Sequence, residues 1–189
     1  MAAVPNLLGR RDYTRDEAND LDAAGLLPDR WELIDGEIIS RMGQNPPHAR
    51  TVDNLCMRLR QAFGYARVKE EKPIEVAEND RRRNDPILDI AVLIEDKAEY
   101  YDRHPAGTEL ILAVEVSDTT VVLDRTKKRR LYARAGVPEY WIVDIPGRRV
   151  LVHRKPDAGD YGEMVDLGED DDIALGDFYA SVADVLPPR

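Results

Sequence analysis

The chain holds one cysteine, Cys56, so no internal disulfide can form and a zinc site of the paired-cysteine kind is excluded. Its three histidines, His48, His104 and His153, include no pair four residues apart on a helix, which removes the metalloprotease signature and any histidine-rich metal centre. Glycine-rich phosphate loops are missing, and none of Ser40, Ser117 and Ser181 sits in a Gly-x-Ser-x-Gly turn. Aromatic residues make up only 6% of the chain, too few for the sugar platforms of a carboxylate glycosidase. No apolar run approaches the roughly 20 residues of a spanning helix, and Met1 to Thr14 lacks a signal-peptide core. These absences predict a cytoplasmic protein with no membrane partner. Carboxylates and lysines are left to carry any chemistry.

Lysine and arginine are also absent from Pro156 to Pro188, where ten acids stand. The formal net charge of −10 is therefore a property of the last part of the chain, and residues 1–155 are close to neutral. Within them Arg125, Lys127, Lys128, Arg129, Arg130 and Arg134 make one basic segment, and Arg81, Arg82 and Arg83 another. Local fields decide where phosphates dock, so the net charge does not exclude a polyanion. With 189 residues, 43% of them hydrophobic, the expectation is one domain over 1–189, with 1–13 as an N-terminal arm.

Thr14 and Glu17 form a capping box that predicts a short helix over 14–24, ended by Gly25. Asp35-Gly36 between Trp31–Ile34 and Glu37–Met42 is a strong hairpin signal. Pro46-Pro47 introduces a helix to Phe63 whose apolar stripe includes Val52, Leu55, Cys56 and Leu59. Strands are predicted at 66–69, 74–76, 87–94, 110–116, 140–143, 150–153 and 161–167. A helix is predicted over 122–135 with Gly136 and Pro138 behind it, and a last short one over 181–186. Strands and helices mixed in this way give an α/β or α+β class, a central mixed sheet flanked by helices.

Two runs read as strands covered on both faces, Pro86–Ile94 and Leu110–Val116, yet they contain Asp89 and Glu115. A charged carboxylate there needs a partner or costs several kcal/mol, roughly 3–5 if a buried pair is broken. Asp89 lies near the start of its run and Glu115 near the end of its own. Antiparallel pairing would bring both to one end of the sheet, where a shared cation could sit. The plain alternative is a strand-end residue that reaches water. On the helix that follows, Asp124, Lys128, Leu131, Tyr132 and Ala135 share one face, so Lys128 points with the apolar stripe. The alternative is a surface pair of Asp124 with Lys128. Lys127, Arg129 and Arg130 fall off that face, towards solvent or phosphate.

The block from Glu115 to Asp144, Glu-Val-Ser-Asp-Thr-Thr-Val-Val-Leu-Asp-Arg-Thr-Lys-Lys-Arg-Arg-Leu-Tyr and onward, resembles the signature of the restriction endonuclease domain family long filed as a domain of unknown function. The Trp-Glu-Leu-Ile-Asp-Gly-Glu-Ile-Ile segment and the Pro-Pro-His-Ala helix start are similar too, so the resemblance spans roughly Thr14 to Leu186. It implies a restriction-endonuclease-like core of the PD-(D/E)XK superfamily and a Mg²⁺- or Mn²⁺-dependent endonuclease acting on DNA as a homodimer. Asp89 and Glu115 become the motif acids, with the metal on Asp89, Glu115 and Val116, and Lys128 the catalytic lysine. Glu37 is an additional catalytic acid, His48 and Asp124 are accessory, and Lys127, Arg129 and Arg130 contact nucleic acid. Two departures stand out: Leu88 replaces the motif proline, and Ser117 occupies the lysine position of Glu-x-Lys. A non-catalytic binding module on the same fold is the competing reading. Truncating either motif acid is expected to leave the fold intact.

Overall fold

The computed structural model describes residues 12–41 and 45–188, so most of the expected N-terminal arm, and Met42 of the second predicted strand, lie outside the described residues. Helix α1 (Arg15–Ala23) starts at Thr14, whose side chain accepts from the Glu17 amide while the Glu17 carboxylate accepts from Thr14. A two-stranded hairpin follows, β1 (Trp31–Ile34) and β2 (Glu37–Ser40). Its turn residues Asp35 and Gly36 have φ of 50° and 80°, the backbone that a tight hairpin demands. The Asn45 side chain caps α2 (Pro46–Phe63) by accepting from the His48 amide, and the two prolines occupy the first turn, where no amide donor is missed.

The main sheet has six strands in the order β3-β4-β5-β6-β7-β8, namely β3 (Val68–Pro73), β4 (Ile87–Leu93), β5 (Leu110–Ser117), β6 (Glu139–Asp144), β7 (Arg149–Asp157) and β8 (Asp160–Gly168). Only β5 and β6 are parallel, so the sheet is mixed as expected. Between these two strands the chain crosses through α3 (Val121–Leu123), a π turn (Asp124–Lys128) and α4 (Arg129–Arg134). Alternation along the strands splits the core. Ile90, Val92, Val114 and Trp141 pack with Val52, Leu55 and Leu59 of α2, while Ala91, Ala113, Tyr140 and Ile142 pack with Tyr132 and Ala135 on the other face. Cys56 is a core residue of the first face, and burial pushes its thiol pKa up.

Two strand expectations need correction. Residues 74–76 form no strand; Glu75 makes a single bridge to Ala106, and the pairing segment is β3 just upstream, preceded by a short turn over Tyr65–Arg67. Lys69, Glu70 and Lys72 lack the apolar alternation of a strand because β3 is an edge, one side of which meets water. The hairpin β9 (Asp172–Leu175) and β10 (Phe178–Ser181) was not foreseen. Ile173, Phe178 and Ala180 anchor it against the α2 face, and α5 (Val182–Val185) follows, capped by Ser181. No helix among the described residues is long and apolar enough to cross a membrane.

Candidate active site

The register of β4 on β5 pairs Ile90 with Val114, so one step further Asp89 and Glu115 fall opposite one another at one end of the sheet. They line a cavity of about 230 Å³ together with Glu32, Arg41, His48 and Lys128. Both acids have the partners that burial demands. Asp89 accepts from Arg41 Nη2 at 2.6 Å and from the Val116 amide at 2.8 Å, and His48 Nε2 lies 3.3 Å from its second oxygen. Burial pushes the Asp89 carboxyl up, but His48, Arg41 and the Val116 amide outweigh it and hold the pKa at about 2. The carboxyl of Glu115 accepts from Lys128 Nζ at 3.0 Å and from the Tyr132 hydroxyl at 2.7 Å, both at Oε1. Burial nonetheless keeps its pKa well above the usual carboxylate range.

Lys128 arrives from the helix, in place of the strand position held here by Ser117. The π turn makes this possible: the Arg129 amide reaches back five residues to the Asp124 carbonyl, and both Asp124 and Lys128 are buried. Wide turns of this kind recur at functional sites. Ser117 has a different task, since its hydroxyl donates to Asp124 at 2.7 Å, and Thr120 does so at 2.6 Å. These bonds tie the start of the helix to the end of β5. Nζ of Lys128 stands 2.8 Å from Glu32, 3.0 Å from Glu115 and 4.0 Å from Asp124. Burial lowers the pKa of Lys128, and the three acids more than restore it, so it stays charged.

Glu32 and Arg41 are the members that sequence reasoning missed. The hairpin alternates, and Glu32 on β1 points inward and is buried, whereas Glu37 on β2 is 65% exposed and pairs with Lys127 at 2.8 Å. Glu37 does not line the cavity. The signal was Glu32 inside the apolar run Trp-Glu-Leu-Ile, the same signal that singled out Asp89 and Glu115. Arg41, just past β2, has a guanidinium only 12% exposed that also donates to the Ile87 carbonyl. Burial works against its charge, but Glu115, Asp89 and Glu32 raise its pKa. Of the proposed nucleic-acid contacts, Lys127 pairs with Glu37, and Arg129 and Arg130 both lie near Asp160 on β8.

Four buried carboxylates, Glu32, Asp89, Glu115 and Asp124, thus face two cations, Lys128 and Arg41. Such an excess binds a proton or a cation. Asp124 Oδ1 and His48 Nδ1 are buried with no hydrogen-bond partner, a further sign of incomplete compensation. No three acid, histidine or cysteine side chains among the described residues converge as a ready metal cluster. A magnesium site with one or two carboxylates and several waters needs no such cluster, so the hard oxygen donors present fit a Mg²⁺-type ion.

A family model described as "Putative restriction endonuclease" matches residues 24–184. No curated protein sequence matches the chain. Among solved structures, that of a "putative nuclease belonging to DUF820" from Anabaena variabilis ATCC 29413 superposes with a TM-score of 0.67 at 18% identity, covering 91% of this chain and 96% of the other. At that identity the likeness concerns the fold.

Proposed function

The chain belongs to this restriction endonuclease family, and from that premise we propose that it is a divalent-metal-dependent endonuclease hydrolysing phosphodiester bonds in DNA. The observation that carries the reading is the excess of carboxylates over cations buried where β4 begins and β5 ends. Asp89, Glu115 and the carbonyl of Val116 would hold Mg²⁺ or Mn²⁺, which when bound lowers the pKa of water and offsets charge on the phosphate.

The chain's own residues do the rest. Lys128 spends two of its three N–H donors on Glu32 and Glu115, which fix its position, and the third is assigned to the attacking water. His48 orients Asp89, and Asp124 anchors the turn that delivers Lys128. Arg41 presents a planar guanidinium suited to a phosphate oxygen. Glu37, outside the cavity, has no catalytic part in this scheme. Lys127, Arg129 and Arg130 lie along the helix beside the site and would steer the DNA backbone. The acids around β8 are offset in part, because Glu163, Asp166 and Glu169 pair with Lys155, Arg149 and Arg148. The described residues form one such site, so cutting both strands of a duplex calls for a homodimer.

The test is incubation of the pure protein with supercoiled plasmid in Mg²⁺, in Mn²⁺ and in EDTA. Nicking or linearisation that requires the ion and disappears in Asp89→Asn and Glu115→Gln supports the reading. Cleavage that survives both substitutions overturns it.

A further inference from the structure

Beneath the loop between β4 and β5 lies a second depression of about 220 Å³, walled by Lys69, Lys72, Tyr100, Tyr101 and Arg103. The Tyr101 ring is 94% exposed. The Tyr100 hydroxyl is the reverse, buried and without a hydrogen-bond partner, while the Arg103 guanidinium stands 5.2 Å from the centre of its ring. Most nearby cations are spent: Lys69 on Asp96, Lys97 and Arg103 on Glu109. No acid among the described residues lies within ion-pair distance of Lys72.

This depression and the acidic cavity have a common neighbour. A third hollow, lined in part by Trp31, shares Arg30 and Arg41 with the acidic cavity and Pro73 with the tyrosine-walled one. Of its three acids, Glu71 and Asp85 are paired with Arg30 and Arg15, and Asp29 is exposed to solvent. Along β4 the track runs from Asp89 to Leu93, about 13 Å at 3.3 Å per residue. An exposed ring, Tyr101, beside a lysine without an acid partner suits a nucleobase and its phosphate. In a duplex the base faces are stacked and closed to such rings, whereas an unpaired base offers its face.

We propose that this track binds a single-stranded stretch of nucleic acid, one base against Tyr101 with its phosphate near Lys72, and leads that strand to Asp89 and Glu115. The direction of travel rests on the nuclease reading; the binding does not.

The experiment is fluorescence anisotropy with fluorescein-labelled oligothymidylate and with a duplex of equal length, in EDTA so that nothing is cut. The native protein should bind the single strand. Tyr101→Ala, at an exposed position where folding is not at stake, should weaken that binding by about 5- to 150-fold. Lys72→Ala should lower the slope of log affinity against log salt by about 0.7. Duplex affinity should change in neither variant. Trp31 fluorescence should respond to the oligonucleotide, since the other tryptophan, Trp141, is fully buried. Binding of the single strand equally well by Tyr101→Ala, or not at all by the native chain, overturns the proposal. A duplex cut in Mg²⁺ without single-strand binding would sink the track and leave the nuclease; a strand held through Tyr101 yet never cut would do the opposite.

Discussion

Replacing Lys128 by alanine removes the one ammonium shared by Glu32 and Glu115, at 2.8 and 3.0 Å, from a site where all three side chains are 5% exposed or less. Breaking a buried pair costs roughly 3–5 kcal/mol when the partner stays charged. The acids have an escape, since one of them can take up a proton. Holding a carboxyl with an ordinary pKa of about 4.3 protonated at pH 7 costs about 3.7 kcal/mol, at 1.36 kcal/mol per unit. Lys128→Ala should therefore destabilise the metal-free protein by about 3 to 4 kcal/mol at pH 7. The sign of its pH dependence follows. The variant's native state keeps a proton that its unfolded state has lost above pH about 4.3, so its deficit grows with pH by about 1.4 kcal/mol per unit. At pH 5 it should shrink to about 1 kcal/mol. Urea unfolding of both proteins in EDTA at pH 5, 6 and 7 measures this directly. A deficit below about 1 kcal/mol at pH 7, or one that does not change with pH, would refute the buried-cluster reasoning.

Asp89 behaves in the opposite sense: with its pKa held at about 2 against an ordinary 3.8, it adds stability that is present above pH 4 and lost as pH falls towards 2, about 2 kcal/mol in all. Acid unfolding of Asp89→Asn should lack that component, and an acid limb identical to that of the native protein would contradict the assigned partners. Under single-turnover conditions Lys128→Ala should cut cleavage by a few orders of magnitude with DNA affinity nearly unchanged, while Lys127→Ala and Arg130→Ala weaken binding and lower its salt slope by about 0.9 each; three variants behaving alike would reduce the helix to a phosphate-docking surface. Sedimentation at micromolar concentration should give the mass of two chains, and a one-chain mass would remove the symmetric pair of sites.

Much of this arrangement was legible before any coordinates. Capping residues, the Asp35-Gly36 turn and the prolines before α2 are local signals, and local signals survive folding. Asp89, Glu115 and Lys128 stood out for one reason, charge in an apolar pattern, and the structure brings the three together. Glu32 carried the same mark in a run of only four residues and was passed over for Glu37, whose turn position proved to be an exposed one. Arg41 had no such mark. It lies past the end of a strand, and its burial follows from Asp89 and Ile87, which are more than forty residues away in the chain. The same distance explains the expectation that truncating Asp89 or Glu115 would leave the fold intact. It treated each acid as lacking a partner, whereas each is bound to a buried cation that truncation would strand.

Calorimetric titration of the metal-free protein with Mn²⁺ tests the carboxylate excess most directly. One ion should bind per chain, and Glu115→Gln should abolish the binding heat. Absence of binding, or binding that Glu115→Gln leaves unchanged, would contradict the account.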